Sequence, residues 1–390
     1  MQPIGVYVHF PYCLKKCPYC DFVSFARERE TIDHVGYADA VIAELSRRRA
    51  ALAGRRLATI FIGGGTPSLW EPAQLGRVVR AILDASDARD PEVEITAECN
   101  PTSLDEERAR MLVDAGVNRL SIGVQGLDAD RLRFLGRLHD PDGGLAAVAA
   151  AVRAGVPRVS ADLIYGVAAG ANADAPATAA AEVARVADLG VTHLSAYSLT
   201  IEPGTQFGDL AKRGKLPIAA DDSVAEAFFA VEETLVQRGF AHYEISNYAK
   251  PGQEARHNLG YWRGDDYLGL GCAAFGTLST EGGAAVRYRN HRDPIRWAAA
   301  AQSGDALESE REELDAETRL RERIMLGLRL ADGLDLDRAA STLGVDAWPP
   351  ARRRAADKLL ARGRLEMEAG RVRVPARARI WTDGVASELF

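Results

Sequence analysis

Short β-branched or aromatic runs alternate with Ala/Leu-rich stretches of helical period through roughly the first half of the chain, the pattern of repeated βα units around a parallel sheet. Strands are expected at Gly5–Phe10, Thr59–Ile62, Val93–Glu98, Arg119–Val124, Arg158–Ile164 and His193–Leu199. Helices are expected to follow them, among others at Asp33–Leu52, Pro72–Leu83 and Asp105–Ala115, the last with Thr102-Ser103 as its capping signal. Six such units are too few to close an eight-stranded barrel, so the pattern predicts an α/β fold built on a partial (β/α)6 barrel, with its site at the C-terminal ends of the strands.

From about Leu216 to Trp297 the pattern turns irregular and rich in Gly, Tyr and Trp, as expected of loops and short strands closing over a site. The charge-dense stretch Gly304–Glu317 marks a boundary. Beyond it, helical segments at Thr318–Leu330, Leu336–Leu343 and Pro350–Arg362 precede a hairpin, Leu365–Val374, turning at Ala369-Gly370. Helices followed by a hairpin read as a small winged-helix-like domain. The expected division is residues 1–215, a partial barrel; 216–303, a barrel-closing α+β region; and 304–390, the C-terminal domain.

Composition refines this picture in few places. A net charge of −7 argues against a protein that coats nucleic acid. Between Pro349 and Ile380, ten basic residues face three acidic ones, which reads first as solvated surface and second as a site for an acidic partner. No run approaches the roughly 18 apolar residues of a spanning helix, and the first residues lack a secretory layout, so a cytoplasmic protein is expected. Five cysteines, an odd number with three inside eight residues, suit metal chemistry in a reducing compartment.

Those three form Cys13-Leu14-Lys15-Lys16-Cys17-Pro18-Tyr19-Cys20, directly after the first strand. Three thiolates on a tight loop can hold a four-iron cluster and leave one iron open. The alternatives are a zinc site completed by a histidine such as His9, or plain reduced thiols. Gly63-Gly64-Gly65-Thr66-Pro67 follows the second strand. It is neither a P-loop nor a dinucleotide fingerprint, and alone it is a glycine turn that lets a ligand near the backbone. Glu98, Gln125 and Asp162 stand at or near later strand ends, and Arg137 follows Gln125 by twelve residues. An acid, an amide and a guanidinium at one end of a sheet can bind a diol, an ammonium and a carboxylate, although each residue singly could be a structural contact.

The C-x3-C-x2-C spacing, together with Tyr7-Val8-His9-Phe10-Pro11-Tyr12-Cys13 and Cys20-Asp21-Phe22, resembles the radical S-adenosylmethionine (SAM) superfamily, in the branch of oxygen-independent coproporphyrinogen III dehydrogenases and heme chaperones. The resemblance runs from Tyr7 into the C-terminal domain. It implies a [4Fe-4S] cluster on Cys13, Cys17 and Cys20, and SAM chelating the open iron and cleaved there to a deoxyadenosyl radical. It further implies SAM contacts from Tyr7, Tyr19, the backbone of Gly64, Gly65 and Thr66, and Glu98, Gln125, Arg137 and Asp162.

His257-Asn258-Leu259-Gly260-Tyr261-Trp262 matches the HNxxYW motif of the chaperones, which implies heme binding by His257; a lone histidine among aromatic rings is otherwise a structural residue. Where the resemblance leads one to expect Gly-Ala-His, this chain has Ala274-Phe275.

Two features separate the branch's activities. The dehydrogenases carry a further cysteine two residues after the triad, where this chain has Phe22, and a longer arm before the cluster loop, where twelve residues precede Cys13. Both point to a heme chaperone that delivers heme to acceptor proteins and draws on an electron donor. The alternatives are the dehydrogenase, which decarboxylates coproporphyrinogen III oxidatively, and, less favoured, an RNA-directed enzyme. A homodimer and peripheral contact with a membrane complex are compatible with the chaperone reading.

Overall fold

A computed structural model describes residues 1–168 and 175–390. Six strands run parallel in sequence order: β1 (Pro3–Phe10), β2 (Arg56–Gly64), β3 (Arg89–Cys99), β4 (Arg119–Gln125), β5 (Arg158–Tyr165) and β6 (His193–Ser198). Alternation sorts their side chains into two faces. Val6, Val8, Ile60, Ile62, Ala97, Leu120, Ile122 and Leu194 are all fully buried in the main hydrophobic core. The opposite face carries Tyr7, His9, Thr96, Glu98, Ser121, Asp162 and Ser195, which instead line cavities.

The helices cover the apolar face. α1 (His34–Arg48) starts where the Asp33 carboxylate accepts the Gly36 amide, and it buries Tyr37, Val41, Glu44 and Leu45. α2 (Pro72–Ala85) begins on a proline and buries Leu75, Val78, Val79 and Ile82. α3 (Glu106–Asp114) corrects the expected capping: Asp105 is its cap, accepting from the Arg108 amide, while Thr102 and Ser103 belong to a 3-10 turn capped by Asn100.

The stretch from Leu216 to Trp297 is more regular than its composition promises. After α4 (Ala129–Phe134), α5 (Pro141–Arg153), α6 (Pro176–Ala187) and α7 (Gln206–Lys212), α8 (Asp221–Val236) is a full helix, and Ala241–Glu244 (β7) with Asn247–Ala249 (β8) add antiparallel strands beyond β6. Asp266–Leu270 (β9) pairs in parallel with β1 and leads through Phe275–Ser279 (β10) to Ala285–Asn290 (β11). The charge-dense stretch is itself a strand: Glu308–Leu314 (β12) pairs antiparallel with β11. Its charges reflect an outer position, since an edge strand is solvated on one side. Among the described residues the sheet has twelve strands in the order β12-β11-β10-β9-β1-β2-β3-β4-β5-β6-β8-β7 and is open, because β12 and β7 do not pair.

The C-terminal unit has its own core of Leu320, Ile324, Leu336, Leu343, Leu359 and Val372. Helices Ala316–Gly327, Leu336–Leu343 and Pro350–Ala361 surround it. Strands Glu366–Glu368 and Arg371–Arg373 form the hairpin, joined by Leu334–Asp335. The turn at Ala369 (φ 48) and Gly370 (φ 78) holds two left-handed residues, as a two-residue hairpin of type I′ requires. Arg352, Arg362, Arg371, Arg373 and Arg379 each sit beside a carboxylate, so much of the basic segment is paired surface. Among the described residues no helix is long and apolar enough to cross a membrane.

Candidate functional site

The cysteine loop leaves the C-terminal end of β1 and is tied at its base. Phe25 and Arg27 donate their amides to the carbonyls of Pro11 and Cys13 (both 2.8 Å), and the Cys20 amide donates to the Cys17 carbonyl (3.2 Å). Cys13, Cys17 and Cys20 are partly buried free thiols. All three line one cavity of about 460 Å³, together with Tyr19, Gly64, Gly65, Thr66, Glu98, Gln125, Arg137 and Asp162. Of the thirteen residues singled out from sequence, this outer chamber gathers all but Tyr7 and His257. Among the described residues no three His, Cys, Asp or Glu side chains converge as they would around a single ion. Three thiols on one cavity can face a cluster that keeps one iron open, whereas a structural zinc takes four ligands.

The chamber's polar groups fit a cluster with a polar ligand beside it. The Arg137 guanidinium donates to the Gly123 carbonyl (2.8 Å) and to Cys17 Sγ (3.6 Å), while its buried Nε has no partner. Thr66 donates to Cys13 Sγ (3.4 Å). Burial pushes the Cys13 thiol up, and pushes Cys20 up to about 11, so iron binding must displace protons. Gln125 sits where the pairing of β4 with β5 slips; it holds φ at 66°, and its Oε1 is buried and unpartnered. A non-glycine residue in the left-handed region beside an unsatisfied acceptor marks a place where strain is kept for a ligand.

The glycine loop contributes space more than donors. Gly64 donates its amide to Glu98 Oε2 (3.0 Å), Gly65 to the Phe10 carbonyl (2.7 Å) and Thr66 to the Tyr12 carbonyl (2.8 Å). Gly64, at φ +105°, passes so close to His9 that a Cβ would lie 2.4 Å from its ring. A Cβ on Gly65 would meet the carbonyls of Tyr12 (2.7 Å) and Phe10 (2.8 Å), the backbone that leads into Cys13. Gly65→Ala is therefore expected to shift the cysteine loop, destabilising the protein by about 1–3 kcal/mol and lowering cluster retention, as read by iron content after anaerobic reconstitution.

Glu98 and Asp162 share the chamber floor. Burial raises both, and the neighbouring Asp162 charge adds to the rise of Glu98 to about 7. Asp162 accepts from Ser121 Oγ at 3.0 and 3.1 Å. Because the folded protein holds the Glu98 proton more tightly than the unfolded chain, this group's contribution to stability is full below about pH 4.5 and lost as pH rises through about 7. Apo Glu98→Gln should match the wild type near pH 5 and exceed it near pH 8 by about 1–3 kcal/mol in urea titrations.

Behind Glu98 and Asp162 lies a second, inner chamber of about 510 Å³. Tyr7 lies here rather than in the outer chamber, its hydroxyl donating to His9 Nδ1 (2.8 Å). Tyr197, Arg119, Thr96 and Phe275 also line it, and sequence reading missed the first three. Their signal was strand alternation: Thr96 with Glu98, Arg119 with Ser121, and Ser195 with Tyr197 stand two apart on the inward face. Phe275, in the position expected to hold histidine, carries the Arg289 guanidinium 4.6 Å above its ring. Phe22 is 55% exposed and lines both chambers.

His257 stands apart from both chambers. It lies on α9 (Arg256–Arg263) and is buried, with Nδ1 2.7 Å from Thr59 Oγ1 and Nε2 2.9 Å from the Tyr261 hydroxyl. Burial holds its ring neutral, down at about 3. One turn further along α9, Tyr261 reaches the inner chamber, as does Asn258, while Trp262 packs 5.7 Å from the Arg329 guanidinium of the C-terminal unit.

Comparison with known proteins gives the family and the fold. Residues 7–168 match the family model of the radical SAM superfamily, and residues 314–381 match that of the HemN C-terminal domain. The chain is 38% identical over 315 residues to the heme chaperone HemW of Escherichia coli, covering 80% of this chain and 79% of that one. It is 33% identical over 390 residues to the heme chaperone HemW of Mycobacterium tuberculosis, covering 100% and 95%. In fold it is similar to the solved coproporphyrinogen III oxidase HemN of Escherichia coli, with a TM-score of 0.81, 21% identity, and 100% and 90% of the two chains covered. The chain belongs to the radical SAM superfamily, and within it to the family of the HemW heme chaperones.

Proposed function

We propose that this protein binds heme and passes it to acceptor proteins, using a radical SAM core in which Cys13, Cys17 and Cys20 hold a [4Fe-4S] cluster. Gly64, Gly65, Thr66, Tyr19, Glu98, Gln125, Arg137 and Asp162 hold SAM beside it. The observation that carries the core assignment is that one cavity collects the three thiols and all these residues. When bound, the reduced cluster supplies one electron to SAM. The protein's own part is to orient and to exclude water: Arg137 steadies Cys17, Thr66 steadies Cys13, and Gln125 Oε1 offers an acceptor to an ammonium.

The chaperone reading is favoured over coproporphyrinogen oxidation by the family of its relatives and by Phe22, which puts an apolar ring at the junction of the chambers where a dehydrogenase carries a thiol. The other two cysteines are buried and hydrogen-bonded to carbonyls, Cys99 to Ala97 and Cys272 to Arg292. The reading includes an electron donor for the cluster and heme acceptors that can be membrane-associated. It treats residues 1–215 as the barrel, 216–303 as its closure and 304–390 as a C-terminal domain that lends its first strand to the main sheet.

The test is anaerobic reconstitution with iron and sulfide, followed by heme titration and a coproporphyrinogen III assay with SAM and a reductant. Stoichiometric heme binding without turnover is expected; robust formation of protoporphyrinogen would overturn the reading.

A further inference from the structure

His9 and His193 line the inner chamber, His257 stands outside it next to Tyr261, and none of the three offers iron a free nitrogen. His9 engages Tyr7 Oη and the Val23 carbonyl (both 2.8 Å), and His193 engages Ser160 Oγ (2.7 Å) and Tyr243 Oη (2.8 Å). His257 is likewise spent on Thr59 and Tyr261, and its Nε2 faces the Tyr261 hydroxyl rather than the chamber. Tyr261 does line the chamber, its ring fixed by edge-on contacts from His257 (4.8 Å) and Tyr267 (4.7 Å). Phenolate oxygen is a hard donor suited to ferric iron, and tyrosine is an established proximal ligand of ferric heme in other folds.

We propose that Tyr261, not His257, is the residue through which this protein coordinates the iron of ferric heme in the inner chamber, and that His257 is a positioning residue behind it. This rests on the heme-handling reading above. The geometry makes the i, i+4 pair of α9 a single device, with the tyrosine reaching the ligand and the histidine aiming it. On coordination the phenol O–H bond breaks and an Fe(III)–O bond forms from an oxygen lone pair. The proton leaves to solvent while the His257 ring stays neutral, its Nε2–H donating to the phenolate and its Nδ1 accepting from the Thr59 hydroxyl; iron keeps its oxidation state.

The surroundings suit the ligand. Glu94 is fully buried, accepts the His257 amide at 3.0 Å and pairs through its second oxygen with Arg119 Nη1 at 3.8 Å. The chamber is rimmed with aromatic rings for a flat macrocycle, and Arg119, 2% exposed, has a buried Nη2 with no partner, available to a propionate.

The experiment titrates hemin into cluster-reconstituted wild type, Tyr261→Phe, Tyr261→His and His257→Gln, and reads resonance Raman and electron paramagnetic resonance spectra. Wild type should show high-spin ferric heme with phenolate vibrations. Tyr261→Phe should lose those vibrations and bind hemin about tenfold or more weakly, Tyr261→His should acquire an imidazole signature, and His257→Gln should keep the phenolate vibrations at lower affinity. Phenolate vibrations that survive Tyr261→Phe, or an imidazole signature in wild type that disappears in His257→Gln, would overturn the assignment. Wild type that binds no hemin would instead remove the heme reading itself. Cluster absorbance and the melting profile establish that each variant is folded; should Tyr261→Phe fail this check, the spectrum of Tyr261→His decides.

Discussion

Cys17→Ala is expected to lower bound cluster by roughly tenfold or more after reconstitution, whereas Cys99→Ala should leave it unchanged. The contrast follows from position. Cys17 lines the outer chamber, and its Sγ accepts from the Arg137 guanidinium at 3.6 Å. Cys99 also borders this chamber, but burial pushes its thiol far above the ordinary range and its Sγ donates to the Ala97 carbonyl at 3.7 Å. It is held as a small apolar residue. Removing one of three ligands also strips the loop of the bond that fixes its shape, so SAM binding should fall with cluster content. Iron and sulfide analysis with visible absorbance reads the first effect, and equilibrium dialysis of SAM the second. Cluster retained in Cys17→Ala, or lost in Cys99→Ala, would mean the ligands are misassigned.

The largest loss of stability is expected from Glu44→Ala, about 3–5 kcal/mol. This carboxylate on α1 is fully buried. It accepts from Arg48 Nε (2.9 Å), the Gly271 amide (2.8 Å), Asn290 Nδ2 (2.7 Å) and Trp297 Nε1 (3.0 Å). Burial raises it, and Arg48 is the foremost group opposing that rise. One side chain therefore joins α1 to β11, to Gly271 just after β9, and to the helix Pro294–Ser303, tying the closing strands to the barrel. Alanine would leave four buried donors without their acceptor, each costing about 1–3 kcal/mol before relaxation. Glu44→Gln keeps an acceptor oxygen and the volume, and should lose roughly half as much. Urea unfolding of the three proteins at one pH checks the order; equal stability of alanine and glutamine variants would show that packing, not hydrogen bonding, dominates there.

What the sequence made legible divides along physical lines. The six parallel strands were visible because one face of each is apolar and the period is two, and the cysteine loop and the glycine loop were visible because their spacing serves local geometry. The residues of the outer chamber could be anticipated because they fall at strand ends. Glu44 was invisible, since three of its four partners lie more than 200 positions away and a glutamate on an amphipathic helix reads as solvated. α8 was hidden by the glycines and aromatic residues of its neighbourhood. β12 is not legible as a strand because its charges, which report an edge, resemble those of a linker. His257 was found by its motif, yet the motif cannot say which of its members faces a ligand. That depends on the turn of α9 relative to β2, set by Thr59 and Glu94.

The open sheet has two margins, and neither invites another strand. β12 presents Glu308, Glu310, Glu312 and Glu313 along a segment whose middle residues are exposed, so a second copy laid beside it would bring like charges together. At the far margin β7 is four residues long and already engaged: Glu244 bridges to Leu330, and Ala331 donates its amide to the Tyr243 carbonyl (2.9 Å). The C-terminal unit thus acts as a stopper on one margin while repulsion guards the other. Growth by continuous strand addition, the usual route from an open sheet to insoluble aggregate, is thereby disfavoured at both ends.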